Sequence, residues 1–283
     1  MAVVVDIHPH VIATDTVRYP LNPLGGTQST WSRERPTTHE MLVAAMDEAG
    51  VDKAAVVQAS TAYGHDNTYV AEAVGAHPKR FTGVFSVDVL APDAVEKMRY
   101  WMGRSLTGIR LFTTGSTMPG QATWFSDPRT YPAWEYAGEA GLPVCMQMTK
   151  QGFPQLRELM ARFPKVRVLL DHLARPQLLG GPPYDADRDF FQLAQNPNVF
   201  LKVTPLNYMP PDWGKATPET FFPRLVQEFG ARRIAWGSNF PATAGSLKDN
   251  LATARKALSS LPAADQDWIF GKTAQVLYPA LAD

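Results

Sequence analysis

The chain has one cysteine in 283 residues, Cys145, so an internal disulfide is impossible. It lies in the apolar run PVCMQM and reads as a core residue. An excess of either charge is missing too, since Lys plus Arg and Asp plus Glu both total 27. Without a net field or a basic run, neither nucleic acid nor an anionic membrane surface is expected as a partner. No apolar stretch approaches the roughly 18 residues of a membrane span. The segment AVVV near the start lacks a preceding Lys or Arg and a small-residue cleavage pattern, so it does not read as a signal peptide. A cytoplasmic setting with reduced thiols is the expectation. Phosphate-binding loop, nucleophile elbow, cysteine-pair zinc ribbon and dinucleotide fingerprint are all absent, which removes those enzyme classes.

What is present is a regular alternation. Eight apolar runs read as strands: VVVDIH, KAAVVQA (53–59), FTGVFSV (81–87), TGIRLF (107–112), PVCMQMT (143–149), VRVLLDH (166–172), VFLKVT (199–204) and RIAWGS (233–238). Helical patterns separate them. In TTHEMLVAAMDEAG, Thr37 and Glu40 have capping-box spacing and Gly50 marks the stop. Continuous apolar strands divided by helices indicate a parallel sheet covered on its outer face, and eight such units predict a single α/β domain over 1–283, a (β/α)8 TIM barrel with some long βα loops. A doubly wound sheet is the alternative.

In such a barrel the chemistry sits at the C-terminal strand ends. That rule selects His8, His10, Ser60, Arg110, Gln147, His172, Lys202 and Asn239, with His65 and Asn67 just after the second strand and Arg175 just after the sixth. Asp6, His8 and His10 alternate, which predicts one shared face. Arg110 and Arg175 carry planar forks suited to a carboxylate, although Arg175 could equally pair with a surface acid. Lys202, charged within an apolar strand, is expected to point into the pocket. Ser60, His65 and Asn67 could bond a ligand, with helix capping the other reading of Asn67. The long connections 11–36, 113–128 and 205–217 are candidates for lid and walls, with Trp31, Trp124, Tyr208 and Trp213 as an aromatic cover.

The set DIHPHV, GHDN, GIRLF, LLDHLARP and WGSNFP, in this order from residue 6 to residue 241, resembles the amidohydrolase superfamily. Within it the likeness is to the branch of 2-pyrone-4,6-dicarboxylate lactonase and related sugar-lactone and muconolactone hydrolases. The resemblance implies an H-x-H pair at strand 1, a basic metal ligand at strand 5 and an Asp at strand 8 in metal-dependent members. Here strand 5 offers Gln147 and Met148, and strand 8 offers Asn239, an amide without useful basicity near neutral pH. His8, His10 and His172 remain as a three-imidazole set for one divalent zinc or manganese ion, but no cofactor is the leading expectation, since the resembling lactonase works without metal.

The resemblance therefore implies a hydrolase of a small, anionic, carboxylated cyclic ester. His8, His10, His172 and Asn239 would be catalytic, while Ser60, His65, Asn67, Arg110, Gln147, Arg175 and Lys202 would bind substrate. Asn239 leaves three readings open: a histidine has become the base while the amide orients water, the reaction is not a hydrolysis, or the residue is an engineered replacement. The alternatives are a metal-assisted decarboxylase or lyase, and a weakened barrel that binds a metabolite. The sequence allows a homo-oligomer without specifying one.

Overall fold

All eight apolar runs form strands in a computed structural model that describes residues 3–282: β1 (Val5–Asp6), β2 (Lys53–Val57), β3 (Phe81–Phe85), β4 (Leu106–Phe112), β5 (Val144–Gln147), β6 (Val168–Leu170), β7 (Val199–Val203) and β8 (Ile234–Trp236). Each pairs in parallel with the next, in chain order. Between β8 and β1 the ring is closed by backbone bonds from Ile7 N to the Trp236 carbonyl, 3.2 Å, and from His10 N to the Phe240 carbonyl, 2.8 Å. The expected (β/α)8 barrel is therefore the fold.

Strand alternation divides the apolar residues into two packed groups. Val5, Ala55, Val57, Val84, Cys145, Leu169 and Ala235 fill the barrel interior, closed at its base by Leu277, Tyr278 and Leu281. Their neighbours along the strands, such as Val56, Val144, Val168 and Trp236, face outward onto helix residues including Leu42, Met98 and Leu156. Burying a side chain of this size contributes about 1.5–3 kcal/mol, so strands covered on both faces must be apolar throughout. Cys145 belongs to this interior, with Sγ 3.4 Å from the Tyr278 hydroxyl.

The first long helix, His39–Ala49, is capped one residue later than its sequence suggests. Thr38 accepts from Met41 N, whereas the Thr37 hydroxyl donates to the Arg35 carbonyl. Gly50, at φ 72°, ends it as expected. The long connections carry short helices, Thr30–Glu34 and Pro205–Tyr208, and the helix Leu247–Ala257 follows β8. No helix among the described residues is long and apolar enough to cross a membrane.

Candidate active site

Beneath the C-terminal mouth of the barrel lies a buried ionic cluster built from four strands. Asp171, directly after β6, is fully buried; Lys202 Nζ from β7 lies 2.8 Å from its Oδ1, and Arg110 Nε from β4 lies 2.8 Å from its Oδ2. Arg110 also donates to the Gln147 side-chain carbonyl on β5. Burial works to raise the Asp171 carboxyl, but Lys202 and Arg110 outweigh it and hold the group below the usual carboxylate range. Desolvated charges persist only with such multiple partners.

Lys202 has a second partner, His8 Nδ1, at 2.8 Å. An ammonium can only donate, so His8 Nδ1 must accept, and the proton of the neutral ring sits on Nε2. That Nε2 is buried without a partner. Burial, then the Lys202 charge, pushes the His8 pKa well down, so the ring is neutral. His10 differs. Its Nδ1 lies 2.8 Å from the Val57 carbonyl, which can only accept, so Nε2 carries the lone pair. His172 follows the same logic: Nδ1 is 2.7 Å from Thr204 Oγ1, whose own proton is directed at Asn207 Oδ1. Burial lowers both His10 and His172 to about 3.

The backbone that presents His172 is unusual. His172, Leu173, Ala174 and Arg175 have φ of 55°, 55°, 54° and 58°, the left-handed region that side chains with a Cβ disfavour by about 1–2 kcal/mol each. Asn207 holds the turn by donating its amide to the His172 carbonyl at 3.0 Å, while its Oδ1 accepts from Thr204 N. Asn239, also left-handed at φ 54°, donates to Thr243 Oγ1 at 3.2 Å and keeps its side-chain carbonyl free.

A cleft of about 190 Å3 opens above this floor, and His10, Ser60, Arg110, Gln147, His172, Arg175 and Asn239 line it together. The Trp31 ring lies over His10, 5.2 Å between centroids, and is part of the wall. Arg175 has no carboxylate partner among the described residues and is free to meet an anion. The other four selected residues lie elsewhere. His8 and Lys202 form the floor and do not line the cleft, so the expectation that Lys202 points into the pocket is corrected: its ammonium is consumed by His8 and Asp171. Asn67 is fully buried, accepting from Ser86 N and donating to the carbonyls of His65 and Ser86, so it neither caps the following helix with its side chain nor faces a ligand. His65 is tied to Ser86 Oγ at 2.9 Å and lines a neighbouring cavity.

Of the three alternating residues, His8 and His10 stay together, 5.0 Å between ring centroids, although β1 ends at Asp6. The Asp6 carboxylate turns back to accept from His8 N at 2.9 Å and Ser238 N at 2.8 Å, fastening β1 to the end of β8. Burial raises its pKa to about 6. Of the aromatic cover, Trp31 and Trp124 reach cavities, while Tyr208 is buried under Trp236 and Trp213 packs on Phe222. Asp171 sits at a strand end as the barrel rule expects, whereas Asn207 emerges as a functional residue that strand-end position alone did not single out.

The donor set can be tested against a divalent ion. With the His8 lone pair turned to Lys202, only His10 and His172 offer imidazole lone pairs; Gln147 and Asn239 offer amides, and no carboxylate lines the cleft. Lys202 and Arg110 set two positive charges against the one negative charge of Asp171. Such a set does not fit zinc or manganese. Among the described residues, no group of three or more His, Cys, Asp or Glu is arranged to hold a metal ion.

Residues 5–280 match the amidohydrolase family. The chain belongs to that family. A stretch of 127 residues is 28% identical to L-fucono-1,5-lactonase of Burkholderia ambifaria, covering 42% of each chain. The chain thus spans less than half the length of this relative in the match. Among solved structures, an amidohydrolase from Burkholderia multivorans with bound zinc superposes with a TM-score of 0.77 at 21% identity, covering 98% of this chain and 99% of that one. The probable 2-pyrone-4,6-dicarboxylic acid hydrolase of Acinetobacter baumannii, with citric acid bound, gives 0.74 at 17% identity, covering 99% and 100%. At these identities the two structures establish the shared fold.

Proposed function

We propose that this amidohydrolase opens a small carboxylated lactone without a metal ion. The observation that carries the reading is the cleft itself, where two neutral imidazoles present lone pairs beside the Arg110 and Arg175 guanidiniums while Lys202 occupies the lone pair of His8. The lactonase relative supports the reaction class.

Arg175, free of acidic neighbours, takes the substrate carboxylate through charge-assisted bonds. The remaining N–H groups of Arg110, whose fork is fixed by Asp171 and Gln147, polarise the lactone carbonyl and receive the developing oxyanion. A water directs one proton to His172 Nε2 and the other to Asn239 Oδ1, and attacks the carbonyl carbon. His172 is favoured over His10 as the base because Asp171 is the strongest charge acting on it and stabilises the imidazolium that forms, whereas at His10 the Arg110 charge acts more strongly and opposes it. Collapse of the tetrahedral intermediate breaks the ring C–O bond, and the imidazolium returns its proton to the leaving alkoxide. The product is the hydroxy acid, with one water consumed.

The test is turnover of a panel of carboxylated γ- and δ-lactones by protein treated with dipicolinate. Turnover that persists in chelator and falls at least about 100-fold in His172→Gln and Arg110→Ala supports the reading, in line with general-base and oxyanion contributions. Loss of activity on chelation with recovery on adding zinc overturns it.

A further inference from the structure

A second cavity of about 190 Å3 adjoins the cleft, and Arg110 and Phe112 belong to the walls of both. The two spaces differ in chemistry. The cleft is dominated by polar side chains, whereas Leu24, Val87, Leu90, Met118 and Trp124 join Phe112 around the second. Its polar side chains are few: His65 Nδ1 is held by Ser86 Oγ at 2.9 Å, and one Asp88 carboxylate oxygen accepts from Leu90 N at 3.0 Å. A hydroxyl-rich group placed there would give up water for few partners, while an apolar group would meet matching surface.

The boundary between the spaces is fixed by Phe112. Its ring lies against the backbone at Gly115, where a Cβ would meet Phe112 Cζ at 2.3 Å and Gln147 Nε2 at 3.1 Å, so only glycine admits both side chains. Arg110 Cζ stands 5.3 Å from the centroid of the same ring. The charged fork thus serves the polar side and the aromatic ring the apolar side of one partition.

From this juxtaposition we infer that the substrate is a carboxylated lactone bearing an alkyl or aryl substituent, with the ring in the cleft and the substituent passing Phe112 into the apolar cavity. Polyhydroxylated sugar lactones are the disfavoured class. The inference rests on the lactonase reading for the identity of the ring, and on the second cavity for the substituent.

Two monocarboxylated lactones that differ only in side chain, one butyl and one of equal length bearing a hydroxyl on each carbon, separate the two ideas. Wild-type kcat/KM is expected to favour the butyl compound by at least about tenfold, the scale on which apolar pockets discriminate. Leu90→Asp, at a partly buried wall position outside the reacting groups, should abolish that preference while leaving turnover of the unsubstituted lactone unchanged. Equal or better turnover of the hydroxylated compound overturns the inference and leaves the lactonase reading standing. If neither lactone is turned over, the lactonase reading fails, and calorimetric binding of the same two compounds decides the rest. Tighter binding of the butyl compound that is lost in Leu90→Asp upholds the apolar subsite, and equal binding overturns it.

Discussion

Lys202 Nζ lies 2.8 Å from His8 Nδ1, and this contact decides what the first histidine of the H-x-H pair can do. By consuming the lone pair of His8, the ammonium makes the ring a structural acceptor. The same ammonium pairs with Asp171, which Arg110 also holds, so the floor of the cleft is a charge cluster with no need of a cation from outside.

Removing the lysine should therefore cost stability. Lys202→Met keeps much of the stem volume but leaves Asp171 with Arg110 alone and His8 without a donor. A loss of about 3 kcal/mol in urea unfolding is expected, at the lower end for breaking a buried ion pair because one cationic partner remains. The double variant Lys202→Met/Asp171→Asn should be less damaged than the sum of its single changes, since the two residues touch. Additivity would show that the contact is not energetically coupled.

Arg175 is expected to act chiefly in binding. With no acid to release it, its guanidinium exchanges water for the substrate carboxylate, and a charge-assisted bond of about 1.5–3 kcal/mol is at stake. Arg175→Ala should raise KM roughly 10- to 100-fold with a smaller effect on kcat. Arg175→Lys should recover part of the loss, because the charge is kept and the fork is not. A variant that lowers kcat alone would place Arg175 in the chemical step and not in substrate capture.

How much of this was legible in the sequence depends on whether the information was local. All eight strands could be read because strands buried on both faces are continuous apolar runs. The helix Leu247–Ala257 could not, since Asn250, Ala254 and Ala257 share its buried face with two leucines and leave a weak apolar stripe. Strand-end position located His10, Ser60, Arg110, Gln147, His172 and Asn239, which do line one cleft. It failed for Lys202, whose charge was visibly out of place, because the partners that draw it downward lie after β1 and after β6. Asn67 misled for a related reason. A short polar residue before a helix suggests a cap or a ligand, and only the approach of the Ser86 backbone shows that its amide is fully occupied.

Asn207 supports catalysis without facing the reacting atoms. It accepts from Thr204 N and donates to the His172 carbonyl, so it holds the residue that orients His172 and the left-handed turn that carries it. Asn207→Ala should lower kcat about 10-fold with little change in KM, and reduce stability by about 1–3 kcal/mol through unpaired buried groups. Asn207→Asp keeps the acceptor for Thr204 N and loses the donor to His172, so it should retain the bond to Thr204 and still lower kcat. Wild-type kcat in Asn207→Asp would show that the turn needs no such support.

The last prediction concerns the amide at the end of β8. If lack of a carboxylate were the sole obstacle to metal binding, Asn239→Asp would create a zinc site with His8, His10 and His172. The tautomer of His8 argues otherwise, because Lys202 still holds its lone pair and still contributes a positive charge below the cleft. Asn239→Asp alone should therefore remain zinc-poor by elemental mass spectrometry after dialysis against zinc, and show no saturable heat on titration. The double variant Asn239→Asp/Lys202→Met frees the third imidazole and supplies the carboxylate, which completes a tetrahedral donor set, and should take up zinc close to one per chain. Stoichiometric zinc in the single variant would mean that Lys202 yields His8 readily, and would return the metal-assisted chemistry of the family to consideration for this cleft.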